Sequence, residues 1–120
     1  MRISLTELFS HSQYTNRPVY YYFDKKTYTI CDINSLDHQQ NLPYIRYIPL
    51  FQVDEEAIQQ EYILRFMGKR AWRKFQESSV CFEAFMQTNN EWNSWWRFYQ
   101  QTVYALIKQW CNDNHIVFEE

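Results

Sequence analysis

Between positions 65 and 74 lie Arg65, Lys69, Arg70, Arg73 and Lys74, five of the chain's twelve lysines and arginines, with no acidic residue from Tyr62 to Gln76. Such a concentration suits anion binding, because guanidinium and ammonium groups meet phosphate or carboxylate oxygens through charge-assisted hydrogen bonds. If residues 69–76 are helical, Lys69 stands near Arg73 and Arg70 near Lys74, so the cations share an exposed sector while Trp72 and Phe75 turn elsewhere. Like charges at that spacing weaken their own helix, a cost that anion binding can justify. Trp72 beside them offers a ring that can stack on a base. The competing reading is a plain solvated face, neutralised by the acidic first turn of the preceding helix and by Glu77 or Glu83.

A second feature is the run Asn93-Ser94-Trp95-Trp96-Arg97-Phe98-Tyr99. Consecutive aromatics cannot all face one core, so Trp96 or Phe98 must look away from the main stripe, where it covers the hairpin, forms a homodimer contact or meets a partner. Most of these rings are needed in the core of so short a chain.

Groups suited to catalysis do not assemble into a motif. His11, His38 and His115 fall at a helix end, in a polar loop and in a C-terminal turn, without metal-ligand spacing. Cys111 and His115 are four apart, but Cys111 belongs to an apolar stripe and Asn114 ends the helix between them. Asp24, Asp32, Glu77, Glu83 and Glu91 form no paired-carboxylate pattern. One glycine cannot build a phosphate-cradling loop, so no cofactor is expected. An enzyme would need Glu83 or Asp32 to converge with a histidine distant in sequence.

The elements that position these residues read as a single α+β domain over residues 1–120. Ser4 and Glu7 fit a capping box and Ile3 with Leu8 a hydrophobic staple, opening a helix near 5–12. Residues 19–33 read as a β-hairpin turning at Asp24-Lys25-Lys26-Thr27, with Val19, Tyr21 and Phe23 on one face. Without glycine the turn is expected to be a longer type I loop, with Asp24 accepting backbone N–H bonds. A strand over 44–50 should join it, held to an edge or a short stretch by Pro43 and Pro49. Asn34 to Asn41 reads as a loop.

Helices are expected near 54–67, with Asp54 as N-cap, near 69–76, and over 91–111, opened by Asn90. In the last, Trp92, Trp95, Tyr99, Val103, Leu106 and Trp110 form the apolar stripe. Val80 to Met86 is ambiguous, with helix preferred. Gly68 is expected at a helix C-terminus in the left-handed conformation. Ile116-Val117-Phe118 reads as a strand, 116–118, that adds to the sheet.

Composition bounds the partners. Aromatics make up 20% of the chain, enough both for a core and for a sticky surface, and a net charge of -2 leaves any anion site to a local patch. No run of about 18 apolar residues and no export segment is present, so a cytoplasmic protein without a membrane partner is expected. Cys31, Cys81 and Cys111 read as reduced core thiols.

Several stretches carry a resemblance: Ile3-Ser4-Leu5, Tyr21-Tyr22-Phe23-Asp24-Lys25-Lys26-Thr27, Tyr47-Ile48-Pro49-Leu50, Gly68-Lys69-Arg70-Ala71-Trp72-Arg73-Lys74-Phe75, and Trp110-Cys111-Asn112-Asp113-Asn114-His115-Ile116. In order and spacing they resemble an uncharacterised (UPF-type) family of small bacterial proteins with no assigned function. That family's distinctive stretch looks like Gly-x-Gly-Ala-Phe-Arg-Arg-Phe, from which this chain departs at Arg70, Trp72 and Lys74. The resemblance implies a bacterial cytoplasmic origin, singles out Gly68 to Phe75, and brings no activity. The residues point to binding of an anionic partner, nucleic acid or an acidic protein face, through Arg65, Lys69, Arg70, Trp72, Arg73 and Lys74. The alternative is a protein-interaction or homo-oligomerisation module using Trp96 and its neighbours.

Overall fold

A computed structural model describes residues 1–12, 21–32 and 46–120. The expected strand ends Val19, Ile33 and Tyr44, the loop 34–41 and His38 lie outside them. The fold is α+β, and the chain divides into two compact units, Met1–Val53 with Tyr104–Glu120, and Asp54–Val103.

The first unit holds strand β1 (Ile3–Ser4), helix α1 (Leu5–Ser12) and an antiparallel sheet of β2 (Tyr21–Asp24), β3 (Thr29–Asp32) and β4 (Tyr47–Pro49), in the order β3-β2-β4. Pro49 therefore sits on an edge strand, where its missing N–H costs no ladder bond. Central strand β2 aligns Phe23 with Ile30 on one side and Ile48 on the other, and buries Phe23 completely.

The hairpin is closed without glycine. The Asp24 carboxylate accepts the Lys26 N–H at 3.0 Å, and the Asp24 carbonyl accepts the Tyr28 N–H at 2.7 Å, with Tyr28 at φ 56°. Asp24 is itself buried, and Arg46 donates to both of its oxygens, at 3.0 Å from Nε and 3.0 Å from Nη2. The guanidinium holds the Asp24 carboxyl down at about 2.

The C-terminal strand differs from the expectation. Strand β5 (Phe118–Glu119) pairs in parallel with β1, Ile3 against Phe118, and forms a separate two-stranded sheet. The turn before it sets that path. His115 adopts φ 57°, its N–H reaches the Asn112 carbonyl at 3.3 Å, and the Ile116 N–H reaches the Cys111 carbonyl at 2.8 Å, a Schellman closure with Ile116 and Cys111 both buried. The Val117 N–H then donates to the Tyr28 hydroxyl at 2.9 Å instead of to a β3 or β4 ladder.

The second unit is helical: α2 (Glu55–Tyr62), a π-helical turn (Ile63–Met67), α3 (Lys69–Glu77), α4 (Phe82–Thr88) and the start of α5 (Trp92–Asp113). Asp54 caps α2 by accepting the Ala57 N–H at 3.1 Å. Asn90 is not the cap of α5. It ends α4 in the left-handed region, φ 55°, with the Glu91 N–H on the Met86 carbonyl at 2.8 Å, and α5 starts from the Glu91 carbonyl.

The stripe on α5 also differs. Trp95, Tyr99, Val103, Ile107 and Cys111 are buried at a constant step of four, whereas Leu106 is 41% exposed. A step of four overshoots a turn by about 40°, so the buried stripe winds around the helix instead of running along it. Of the cysteines only Cys111 is a core thiol; Cys31 is half-buried and Cys81 exposed.

Gly68 separates the π turn from α3. Its φ of 95° is positive, as expected of a glycine at a helix end, but its ψ of 167° is far from the left-handed helical value, a combination that belongs to glycine. A Cβ there would touch nothing within 4 Å, so the whole cost of a side chain is backbone strain. Gly68→Ala is expected to lose about 1–2 kcal/mol by chemical denaturation without changing the native spectrum.

Candidate anion-binding face and aromatic groove

Helix α3 separates charge from ring. Lys69, Arg70, Arg73 and Lys74 are exposed, while Ala71, Trp72 and Phe75 are half-buried. The reason lies in α4: Phe75 meets Phe82 and Phe85 at ring-centroid distances of 5.7 and 5.1 Å, and Trp72 lies against Phe75 at 5.9 Å. The apolar side is drawn onto these rings, and the 3.6-residue period turns the cations outward.

Among the described residues the ion pairs are Arg46 with Asp24 and Lys108 with Glu120. None of Arg65, Lys69, Arg70, Arg73 and Lys74 takes part, so neither Glu77 nor Glu83 is within ion-pair distance of them. Glu83 instead receives the Gln87 side-chain amide at 3.4 Å.

Arg65 stands apart from α3, in the π turn, with its guanidinium carbon 5.2 Å from the centroid of the Phe66 ring. A π turn inserts one residue into the helical register and so re-aims the side chains around it, here leaving Leu64, Arg65 and Phe66 exposed. Trp96 is 44% exposed but belongs elsewhere: it stacks on Tyr99 at 5.7 Å along α5 and makes no ring contact with α3.

Phe66 opens a concavity of about 450 Å³ that the basic motif does not signal. Tyr62 and Phe66 come from α2 and the π turn, Glu91 precedes α5, and Ser94, Arg97, Phe98 and Gln101 project from it. The rings of Tyr62, Phe66 and Phe98 form a mutual cluster at centroid distances of 5.0, 5.3 and 5.4 Å. The Tyr62 hydroxyl donates to Glu91 Oε2 at 2.6 Å. Burial, reinforced by that carboxylate, pushes the Tyr62 phenol up to about 12, so it remains a donor. Arg97 has no carboxylate within ion-pair distance among the described residues.

Legible in hindsight are the four-residue spacing of Tyr62 and Phe66 and that of Ser94, Phe98 and Arg97, Gln101. Nothing in the sequence joins the two sets.

The other candidate chemistry is weaker. Burial pushes the Cys111 thiol up to about 11, the opposite of an activated nucleophile, and His115 is exposed. His11 uses Nδ1 to donate to the Glu7 carbonyl at 2.8 Å. Among the described residues no group of three or more His, Cys, Asp and Glu is placed to hold a metal ion, and no helix is long and apolar enough to cross a membrane.

Fold and site together define a small α+β protein with an exposed basic helix next to an aromatic concavity. Compared with protein-family models, curated proteins and solved structures, the chain matches none.

Proposed function

We propose that this is a binding protein that takes up an anionic partner, nucleic acid or an acidic protein face, through Arg65, Lys69, Arg70, Arg73 and Lys74, with Trp72 beside them. The observation that carries this reading is that all five cations are exposed and none has a carboxylate partner among the described residues. In a chain of net charge -2, like charges on successive turns without an ion-pair partner cost helix stability and fit a ligand that supplies anions.

Affinity for a polyanion should then fall linearly on a logarithmic salt scale. Replacing Arg70, Arg73 and Lys74 together by alanine should weaken binding at least tenfold and flatten the salt slope, while thermal stability holds or rises as repulsion is relieved. Binding indifferent to salt, or a triple variant that binds like the parent, would sink the reading.

A second reading rests on Trp96, exposed and stacked on Tyr99, as the centre of a contact with another protein or a second copy. Light scattering over a range of concentrations separates the two, because self-association through Trp96 is lost in Trp96→Ser and untouched by the triple change.

A further inference from the structure

We propose that the concavity formed by Tyr62, Phe66, Glu91, Ser94, Arg97 and Phe98 receives an unstacked base of single-stranded nucleic acid whose phosphates follow the basic face of α3. The inference rests on the anion-binding reading above and names its partner.

Three observations lead to it. The first is continuity: the π turn that carries Arg65 and Phe66 leads through Gly68 directly into α3, and the Arg65 guanidinium lies over Phe66, which lines the concavity. Cation and ring are therefore neighbours, the combination that holds a sugar-phosphate backbone with a base beside it. The second is the floor. Phe66 is 54% exposed and edge-on to Phe98, so ring surface remains open to a flat ligand, and every base has a face to offer it.

The third is the polar rim. Arg97 is free to meet a phosphate or to stack, and Glu91, held at one oxygen by Tyr62, keeps the other to accept an exocyclic amine. A run of Asp and Glu would satisfy the cations and leave the aromatic floor unfilled. A duplex would satisfy the cations and keep its base faces stacked. A single strand brings a phosphate and an unstacked ring together in every one of its units.

The test uses the whole chain and four labelled probes: single-stranded oligo-dA of about 15 nucleotides, a duplex of the same length, heparin as a polyanion without aromatic rings, and polyglutamate. Fluorescence anisotropy is read across a salt series for the parent, Phe66→Leu, Phe66→Ala and Arg97→Gln. Phe66 is more than half exposed, and Phe66→Leu keeps an apolar side chain against Tyr62 and Phe98, so an effect shared by both variants is read in the groove.

The single strand should bind most tightly. Both Phe66 variants should weaken it about tenfold with the salt slope unchanged and leave heparin unaffected. Arg97→Gln should weaken it with a shallower slope, by about 0.7 for one phosphate contact.

Should the Phe66 variants bind the strand like the parent, or the duplex or heparin match it, the base-in-groove proposal is overturned and the basic face stands. Preference for polyglutamate overturns it in favour of an acidic protein partner. Absence of salt-dependent binding to all four probes removes the basic-face reading as well.

Discussion

Phe23→Ala should destabilise the unit built around the sheet by about 3–5 kcal/mol. Phe23 sits in the central strand with 0% exposure, edge-on to Tyr28 at 5.1 Å and to Trp110 at 6.2 Å. Alanine removes the ring from between two others that are fixed by their own elements. Tyr28 is held at φ 56° in the hairpin turn with its hydroxyl on the Val117 N–H, and Trp110 lies on α5, so neither moves freely into the space.

Small domains are stable by only about 5–15 kcal/mol, so the loss takes a large share. In urea it should appear as a midpoint lowered by roughly 1.5–3 M at an ordinary slope. Phe23→Leu, which keeps most of the volume, should cost less than half as much. Equal midpoints for Phe23→Ala and the parent would mean that the sheet is not organised around this ring.

How much of this was legible in the sequence follows from the range of the interactions. The hairpin was, because alternation and turn chemistry act over a few residues: Asp24 accepts its turn N–H, and β4 takes the edge that Pro49 dictates. The cap at Asp54 is equally local. The stripe on α5 was only half legible. A run of tryptophans suggested an average step that put Leu106 inward, whereas packing chose Ile107 and Cys111, and only the neighbours of the helix make that choice.

The pairing of Phe118–Glu119 with Ile3–Ser4 joins the two ends of the described chain, and β-propensity names no partner. The basic face was visible as a cluster of residue types. The groove was not, because it needs Tyr62 of α2 and Phe66 of the π turn to meet Glu91, just before α5, and Arg97 and Phe98 on it, and the π turn that exposes Phe66 has no propensity signature. The ion pair of Arg46 with Asp24, 22 residues apart, was missed for the same reason.

That pair makes stability depend on acid in a defined window. Its carboxylate side is the buried one: the Asp24 side chain is 5% exposed against 38% for Arg46. Two guanidinium bonds and the Lys26 N–H favour the ionised form over a desolvation cost that opposes it, moving Asp24 from 3.8 to about 2. A carboxyl lowered by folding stabilises the native state above its unfolded pKa, and the contribution is lost as pH falls toward the folded value. The gain is roughly 2 kcal/mol, complete above about pH 5 and fading between about 4 and 2.

Asp24→Asn keeps an oxygen for the Lys26 N–H but removes the charge, so it should lower stability by about 2 kcal/mol at neutral pH. The deficit relative to the parent should shrink through that same window and be mostly gone near pH 2, where the parent carboxyl is about half protonated. Arg46→Gln should give a similar acid profile, and the double variant should lose less than the sum of the two single losses, since each already removes the same contact. A deficit that stays constant from neutral pH down to pH 2 would show that Asp24 contributes through the turn alone and that Arg46 is a surface bystander.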